Sequence, residues 1–190
     1  TLAQQREVDL TRRVLGVIGV GNVGNKVVKT AELLGMRVYL CDPPRVRNEG
    51  LCGFISLEGI LRECDIITFH VPLNPEGPDK TVHLVDDDLI GKINPGTWII
   101  NTSRGEVAEP GALKRGLSAG RVGAAVLDVW EHEPDIDLDL MAQCHFATPH
   151  IAGYSADGKA KGTAMIIKAL SAFFDLPLED WEAPEIPEPE

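Results

Sequence analysis

The stretch Val14–Asp42 reads VLGVIGVGNVGNKVVKTAELLGMRVYLCD and decides the fold of this chain. It joins an apolar run, a glycine cluster, a segment of helical periodicity, a second apolar run and an acid. Gly19, Gly21 and Gly24 have the G-x-G-x-x-G spacing, which permits a tight strand-to-helix turn, close approach of a pyrophosphate to the backbone, and close packing of helix on strand. The stretch therefore predicts a dinucleotide-binding βαβ unit.

The residues around these glycines predict which dinucleotide binds. A helix that begins at Asn22 and continues through Val23 would present unpaired N–H groups and its positive dipole end to the phosphates. Asp42 lies at the tip of the predicted strand 37–41, where its carboxylate can accept hydrogen bonds from a ribose diol. The same carboxylate would repel a 2′-phosphate, so the sequence favours NAD over NADP, and Arg45 nearby weakens that preference without cancelling it. Glycines also mark ordinary turns, but here strand, helix and acid follow in the required order.

The composition is that of one ordinary globular domain with an acidic balance. The chain has 190 residues, of which 44% are hydrophobic and 25% charged, and its formal net charge is −11. Because no basic cluster interrupts this negative charge, we expect neither nucleic acid nor an anionic membrane surface as a partner. No apolar run approaches the ~20 residues that span a bilayer, and no signal-peptide pattern opens the chain, so we expect a cytoplasmic protein.

The cysteines and histidines show no metal-ligand spacing. The four cysteines, Cys41, Cys52, Cys64 and Cys144, form no C-x-x-C pair and have no finger-like spacing with the histidines. Cys41 and Cys64 lie at or beside apolar runs, which is typical of buried thiols in a reducing compartment. The five histidines lack H-x-H and H-x-x-x-H spacings, and the sequence therefore predicts no metal site.

Strands and helices alternate along the chain. The predicted strands are 14–20, 37–41, 65–70, 98–101, 122–128 and 146–148, and the predicted helices are 22–34, 56–64, 85–93, 110–119 and 156–175. The segment DPPRVRNEG after the second strand is predicted to be a loop, because we expect its paired prolines to exclude a helix. This alternation predicts an α/β fold with a doubly wound parallel sheet, whose ligands lie beyond the carboxyl ends of the strands.

Four segments are predicted from these elements. Residues 1–13 are expected to be a linking helix and 14–153 a Rossmann-type NAD-binding domain. Residues 154–175 are expected to be a C-terminal linking helix, and 176–190 an acidic, proline-rich tail that is extended or disordered. Because the polar opening residues are mid-helical in character, we expect this chain to be a piece of a longer polypeptide.

Several side chains that could perform chemistry follow the predicted strands. Oxidation of a 2-hydroxy acid with NAD needs a cation for the carboxylate and a base for the hydroxyl proton. Arg104 is the candidate cation, because a guanidinium grips a carboxylate with two prongs and Gly105 permits a close turn. His150 is the candidate base, and Glu133 could hydrogen-bond its ring and hold one tautomer. Asp128 could bind the nicotinamide carboxamide.

A structural interpretation of these residues stays open at this point. An arginine in a loop is often simply solvated, and a lone histidine is more often structural than catalytic. The remaining histidines, His70, His83, His132 and His145, have no comparable acid partner in obvious register. We interpret those four as structural.

The motifs GVGNVG, CDPPR, SRGE, LDVWEHEP and TPHIAGYS resemble the D-isomer-specific 2-hydroxyacid dehydrogenases over nearly the whole chain. The resemblance implies that Arg104 orients the substrate, that Glu133 is the acid partner, that His150 donates and accepts the proton, and that Tyr154 lies near the substrate. The implied NAD-binding residues are Gly19, Gly21, Asn22, Val23, Gly24, Asp42, Val71, Pro72, Asp128 and Gly153. Relatives often have threonine at position 71, so from Val71 only a backbone contact carries over.

The resemblance also implies an activity and a missing part. It implies an NAD-dependent oxidation of a phosphorylated D-2-hydroxy acid by a full-length homodimer. Proteins of this family build a second, substrate-binding domain from residues before the cofactor domain, and that domain is absent from this chain. We therefore expect this chain alone to bind NAD but to be nearly inactive.

Two other functions remain open on sequence grounds. The first is a dehydrogenase of the same family for another substrate, of the 3-phosphoglycerate or glyoxylate/hydroxypyruvate type, because substrate choice depends mainly on the absent domain. The second is an NAD-sensing, corepressor-like binding module that uses the fold as a switch. The presence of all three candidate catalytic residues counts against the second function, because function depends on the site rather than on the fold.

Overall fold

The structure is a computed structural model that describes residues 9–50, 53–153 and 155–182. It divides into two compact units, Thr1–Pro149 and His150–Glu190. The first unit contains the sheet and all but one of the helices of the described chain, and the second contains one long helix. Among the described residues, no helix combines the length and apolar character needed to cross a membrane.

The first unit is built on a parallel sheet with the strand order β2-β1-β3-β4-β5-β6. The strands are β1 Val14–Ile18, β2 Arg37–Cys41, β3 Ile66–Phe69, β4 Thr97–Asn101, β5 Val122–Leu127 and β6 Phe146–Ala147. The chain runs from β1 outward to β2 and then crosses to β3 on the other side of β1. The prediction of a doubly wound parallel sheet is confirmed, and the crossover makes a switch point at the carboxyl end of β1, where such sheets bind ligands.

The helices cover the sheet from both faces. These helices of the first unit are α1 Asn22–Leu33, α2 Pro43–Glu49, α3 Leu57–Glu63, α4 Asp87–Lys92, α5 Pro110–Ser118 and α6 Leu138–Gln143. The helix of the second unit is α7 Ala156–Phe174. Neighbouring strand residues such as Ile66 and Ile67 belong to different core clusters, because successive side chains of a strand point to opposite faces. The larger cluster includes residues of α3, α4, α5 and α6, and the smaller one packs against α1.

The prediction of a loop after β2 is wrong, because Pro43–Glu49 form the helix α2. Its two prolines occupy the first two helical positions, where the backbone N–H has no intrahelical acceptor and a fixed φ suits the helix. Asp42 is the N-cap, and its Oδ1 accepts a hydrogen bond from the N–H of Arg45 at 3.1 Å. Prolines that would break a helix interior therefore start this one.

Two further elements differ from the sequence prediction. The short helix α6 was not predicted, and it begins where Asp137 accepts the N–H of Leu140 at 2.9 Å. The predicted linking helix 1–13 falls mainly on residues 1–8, which lie outside the described part of the chain. The described end of that segment is a single 3-10 turn, Leu10–Arg12, capped by Asp9.

The second unit contains α7, with Ser155 as its N-cap and Asp175 as its C-cap. The Ser155 hydroxyl accepts the N–H of Gly158 at 2.9 Å, and Asp175 ends the helix in the left-handed conformation at φ 53°. Apolar residues in the second half of α7, among them Met165 and Phe173, are exposed in this structure.

Candidate functional site

Two glycines, one in the turn after β1 and one in the first turn of α1, lie at positions that exclude a side chain. Gly19 has φ +85°, and its N–H donates to the carbonyl of Cys41 at 2.9 Å. A Cβ on Gly19 would lie 2.6 Å from the carbonyl oxygen of His70, and a Cβ on Gly24 would lie 2.1 Å from the carbonyl oxygen of Gly19. The tight turn and the close packing of helix on strand therefore both depend on glycine.

Gly21 differs from these two because space is open beside it. A Cβ on Gly21 would meet nothing within 4 Å among the described residues. Gly21 is the N-cap of α1 without a side-chain cap, and Asn22 and Val23 of the first turn are exposed. First-turn N–H groups have no intrahelical acceptor, so this helix start fits an anionic group such as a pyrophosphate.

Asp42 connects this turn to the tip of β2. Its Oδ2 accepts the N–H of Val20 at 2.8 Å, while its Oδ1 accepts the N–H of Arg45. Each carboxylate oxygen has a second lone pair, which leaves acceptor capacity for ribose hydroxyls. The residue predicted to select the cofactor is thus also a structural residue of the glycine turn.

A cleft of about 690 Å³, counted with its open mouth, lies beside Asp42. Gly19, Val71 and Pro72, which the sequence predicted as cofactor residues, also line it. The sequence did not predict that Leu57, Lys80, Thr81 and Leu84 line the same cleft, because they come from other segments that the fold brings together. Of these four, only Leu57 lies in the predicted helix 56–64, and a helix pattern does not indicate a binding surface.

The backbone next to Arg104 is fixed by side chains at the end of β4. The Asn101 side chain donates to the carbonyl of Arg104 at 2.8 Å and accepts the Ser103 hydroxyl at 2.8 Å. The exposed Arg104 side chain donates to the carbonyl of Ser103 at 2.6 Å. Hydrogen bonds among residues 101–104 therefore fix the turn that was predicted to present a cation at the carboxyl edge of the sheet.

Gly105 brings this turn against the loop that follows β5. A Cβ on Gly105 would lie 2.0 Å from the carbonyl carbon and oxygen of Trp130, so only glycine fits. The N–H of Trp130 in turn donates to Oε1 of Glu133 at 2.8 Å. The backbone beside Arg104 and the carboxylate of Glu133 are consequently fixed to one residue, Trp130.

Asp128 and Thr148 hold the same loop from the other side. Asp128 is only 4% exposed, and its Oδ1 accepts the Thr148 hydroxyl at 2.6 Å. The indole N–H of Trp130 donates to the carbonyl of Thr148 at 2.9 Å. The carboxylate of Asp128, which was predicted to bind the nicotinamide carboxamide, is thus buried directly after the end of β5.

His83 has an acid partner that no obvious sequence register indicated. Its Nε2 lies 2.8 Å from Oε1 of Glu131, and its backbone N–H donates to the carbonyl of Glu106 at 2.7 Å. His83 and Glu131 are 48 positions apart in sequence, so no local spacing indicated the pair. These contacts fasten the loop after β3 to the loops that carry Arg104 and Glu133.

Other histidines and the cysteines have structural surroundings. Nε2 of His70 lies 3.0 Å from the hydroxyl of Thr68, and burial lowers the pKa of His70. Cys41 and Cys64 are free and buried as predicted, and burial raises their pKa values to about 11 and about 12. Cys52 lies outside the described residues. In the part of the chain that the structure describes, no group of three or more His, Cys, Asp and Glu is arranged to hold a metal ion.

His150 and Gly153 belong to the second unit, whereas Arg104 and Glu133 belong to the first. His150 is exposed and has φ +55°, in the left-handed region that few residues other than glycine and asparagine adopt. A Cβ on Gly153 would meet nothing within 4 Å in the described chain. Tyr154, predicted near the substrate, lies outside the described residues.

Comparison with known proteins agrees with this geometry. The family model for the D-isomer specific 2-hydroxyacid dehydrogenase, NAD binding domain, matches residues 2–152. Erythronate-4-phosphate dehydrogenase of Bacteroides fragilis is 52% identical over 173 residues, which cover 91% of this chain and 50% of that protein. The enzyme of the same name from Klebsiella pneumoniae is 46% identical over 176 residues, covering 93% of this chain and 47% of that protein. The chain thus spans about half the length of these curated relatives.

A solved structure shows the same fold with the cofactor. The D-lactate dehydrogenase of Aquifex aeolicus, complexed with NAD and lactic acid, superposes with a TM-score of 0.73 at 30% identity. The match covers 93% of this chain and 58% of that one. The glycine turn, the acid at the tip of β2 and the cleft between them fit the same cofactor here. This chain therefore belongs to the D-isomer specific 2-hydroxyacid dehydrogenase family and contains its NAD-binding domain.

Proposed function

We propose that this chain is the cofactor half of an NAD-dependent enzyme that oxidises 4-phospho-D-erythronate to its 2-oxo acid, in pyridoxal phosphate (vitamin B6) biosynthesis. The substrate is inferred from the relatives named erythronate-4-phosphate dehydrogenase. The main structural support for this reaction is the contact of Gly105 with Trp130, which fixes the turn at Arg104 to the loop that contains Glu133. Both lie at the carboxyl edge of the sheet, the same edge as the glycine turn.

The proposed roles follow from the chemistry of each side chain. Arg104 binds the substrate carboxylate through two parallel N–H donors. His150 takes the proton of the 2-hydroxyl group, and Glu133 orients its ring. NAD supplies the acceptor for the hydride that leaves carbon 2, so the hydroxy acid is oxidised as the cofactor is reduced. Asp128 and Gly153 would contact NAD, Asp128 at the nicotinamide carboxamide, and Tyr154 would lie near the substrate.

The same inference extends to the organisation of the full-length protein. We propose that 14–153 is the NAD-binding domain, that 1–13 and 154–175 link it to a substrate domain outside this chain, and that 176–190 is a tail. The full-length protein would be a homodimer, as implied by the family resemblance. A cytoplasmic location is supported by the free thiols of the described cysteines.

The first test compares this 190-residue chain with the full-length protein, assayed side by side for NADH formation from 4-phosphoerythronate. We expect the chain to bind NAD but to be nearly inactive, because hydride transfer needs the substrate held in a cleft that excludes water. Without a second wall, an exposed contact to Arg104 contributes only ~0–1 kcal/mol. Comparable turnover by the chain alone would contradict the proposed two-domain site.

A substrate panel separates this proposal from its alternatives. The full-length protein should prefer 4-phosphoerythronate to 3-phosphoglycerate, glyoxylate and hydroxypyruvate. Preference for one of the others would keep the family and change the substrate. NAD binding without turnover of any of them would favour the corepressor-like module.

Substitution of Asp42 should change cofactor choice. We expect Asp42→Ala to weaken NAD binding about tenfold or more, because hydrogen bonds to a charged acceptor are lost. It should also destabilise the chain by about 0.5–2 kcal/mol, because Asp42 caps α2. Asp42→Asn is the charge-neutral comparison: its amide oxygen can still cap α2, but its NH2 group cannot accept the N–H of Val20. In Asp42→Asn, calorimetric titration should show a smaller difference between NAD and NADP affinities, together with a loss of thermal stability because one of the two backbone N–H groups loses its acceptor. An unchanged difference would remove Asp42 from its proposed role.

A further inference from the structure

Arg45 is restrained on three sides beside the proposed ribose site. Its Nε donates to Oε1 of Glu49 at 2.8 Å and its Nη2 to Oε2 at 2.5 Å, a two-pronged ion pair one turn apart on α2. Its Nη1 donates to the carbonyl of Val20 at 2.9 Å. Its guanidinium carbon lies 5.1 Å from the centre of the Phe54 ring. All three guanidinium nitrogens of Arg45 therefore donate to acceptors within the protein.

Arg45 and Asp42 both hydrogen-bond to the backbone of Val20. Asp42 accepts the N–H of Val20, and Arg45 donates to the carbonyl of the same residue. A phosphate on the ribose 2′-oxygen would therefore enter a region that holds Asp42, Arg45 and Glu49. Two negative charges and one positive charge leave this region with a net charge of −1.

We propose that Glu49 is a specificity-determining residue that excludes NADP by holding Arg45 away from the 2′-phosphate. A guanidinium is the side chain that best binds a phosphate, and an arginine next to a ribose-binding carboxylate could therefore admit NADP. Glu49 prevents this because it occupies the donors Nε and Nη2 of Arg45. The proposal rests on Asp42 as the ribose ligand of the proposed function.

The protonation of Glu49 is compatible with this role at neutral pH. Its hydrogen bond with Arg45 holds the pKa of the Glu49 carboxyl below its usual value, and the same bond raises the pKa of Arg45. Both groups are therefore charged where the cofactor binds. Since the pair is partly exposed, salt should weaken it.

The test measures the dissociation constants of NAD and NADP for this 190-residue chain by calorimetric titration. Glu49→Gln removes the charge and keeps the size of the side chain. We expect it to raise NADP affinity about three- to tenfold while NAD affinity changes less than about twofold, as one exposed contact between the released guanidinium and the phosphate would give. The gain should shrink at high salt.

Two further variants separate this role from a structural one. In the double variant Arg45→Ala/Glu49→Gln the gain in NADP affinity should disappear, because the released guanidinium is what binds the phosphate. Asp88→Asn is the matched control: it breaks another exposed ion pair one helical turn long, with Lys92, and changes the net charge equally. It should leave the ratio of the two affinities unchanged.

Each outcome has a defined meaning. If Glu49 only stabilises α2, Glu49→Gln will lower the melting temperature and leave the affinity ratio unchanged, which would overturn this proposal and leave the NAD site intact. An equal gain with Asp88→Asn, or a gain retained in the double variant, would also overturn it. If the unmodified chain fails to bind NAD, the cofactor site itself is wrong, and this proposal fails with it.

Discussion

In the full-length enzyme, His150→Ala is expected to lower kcat by about 10²–10⁴-fold while NAD affinity is nearly kept. In the proposed function His150 accepts the 2-hydroxyl proton as the hydride departs, and the variant has no group at this position to accept it. Cofactor binding should survive, because the glycine turn and Asp42 belong to the first unit. Steady-state kinetics with 4-phosphoerythronate and separate NAD titration measure the two effects.

The backbone at His150 requires a second variant. His150 has φ +55°, and alanine in that conformation could lose activity through strain rather than through missing chemistry. Asparagine tolerates the left-handed region but cannot act as the base, so His150→Asn should lose as much kcat as His150→Ala. Near-normal turnover of His150→Asn would show that another group takes the proton.

The elements that the sequence predicted well are those whose signal is local. The glycine turn, the strands around it and Asp42 all lie within one stretch of the chain, and their spacing carries the geometry. The positions of Arg104 and Glu133 at one edge could also be predicted, because the carboxyl ends of parallel strands meet there. Their roles, like that of His150, stay predictions until the variants are measured.

The features that the sequence did not predict depend on contacts or on position within a helix. Pro43 and Pro44 indicated a loop because proline breaks a helix interior, but the cap at Asp42 makes their positions a helix start. The pair of His83 and Glu131 was not predicted, because the two residues are 48 positions apart in sequence. Such pairings become visible only when strand order and loop lengths place two segments together.

The second large effect concerns Gly24, where substitution should disrupt the fold of the cofactor site. A Cβ at this position would lie 2.1 Å from the carbonyl oxygen of Gly19, which is backbone and cannot rotate away. We expect Gly24→Ala to lower the free energy of unfolding by about 1–3 kcal/mol or more, because α1 must move off β1. Since that movement also displaces the helix start, NAD binding should be lost with it. Denaturant unfolding and calorimetric titration on this chain measure both effects.

Gly21 provides the matched control within the same turn. A Cβ there would meet no described atom within 4 Å, and its φ of −81° suits any residue, so Gly21→Ala should unfold at nearly the same denaturant concentration as the unmodified chain. It should nevertheless weaken NAD binding, because the added methyl group occupies the space through which the pyrophosphate approaches the start of α1. Loss of affinity without loss of stability at Gly21, and loss of both at Gly24, would distinguish ligand access from helix packing. If Gly24→Ala were as stable as Gly21→Ala, the contact between α1 and the Gly19 carbonyl would not be what holds this turn.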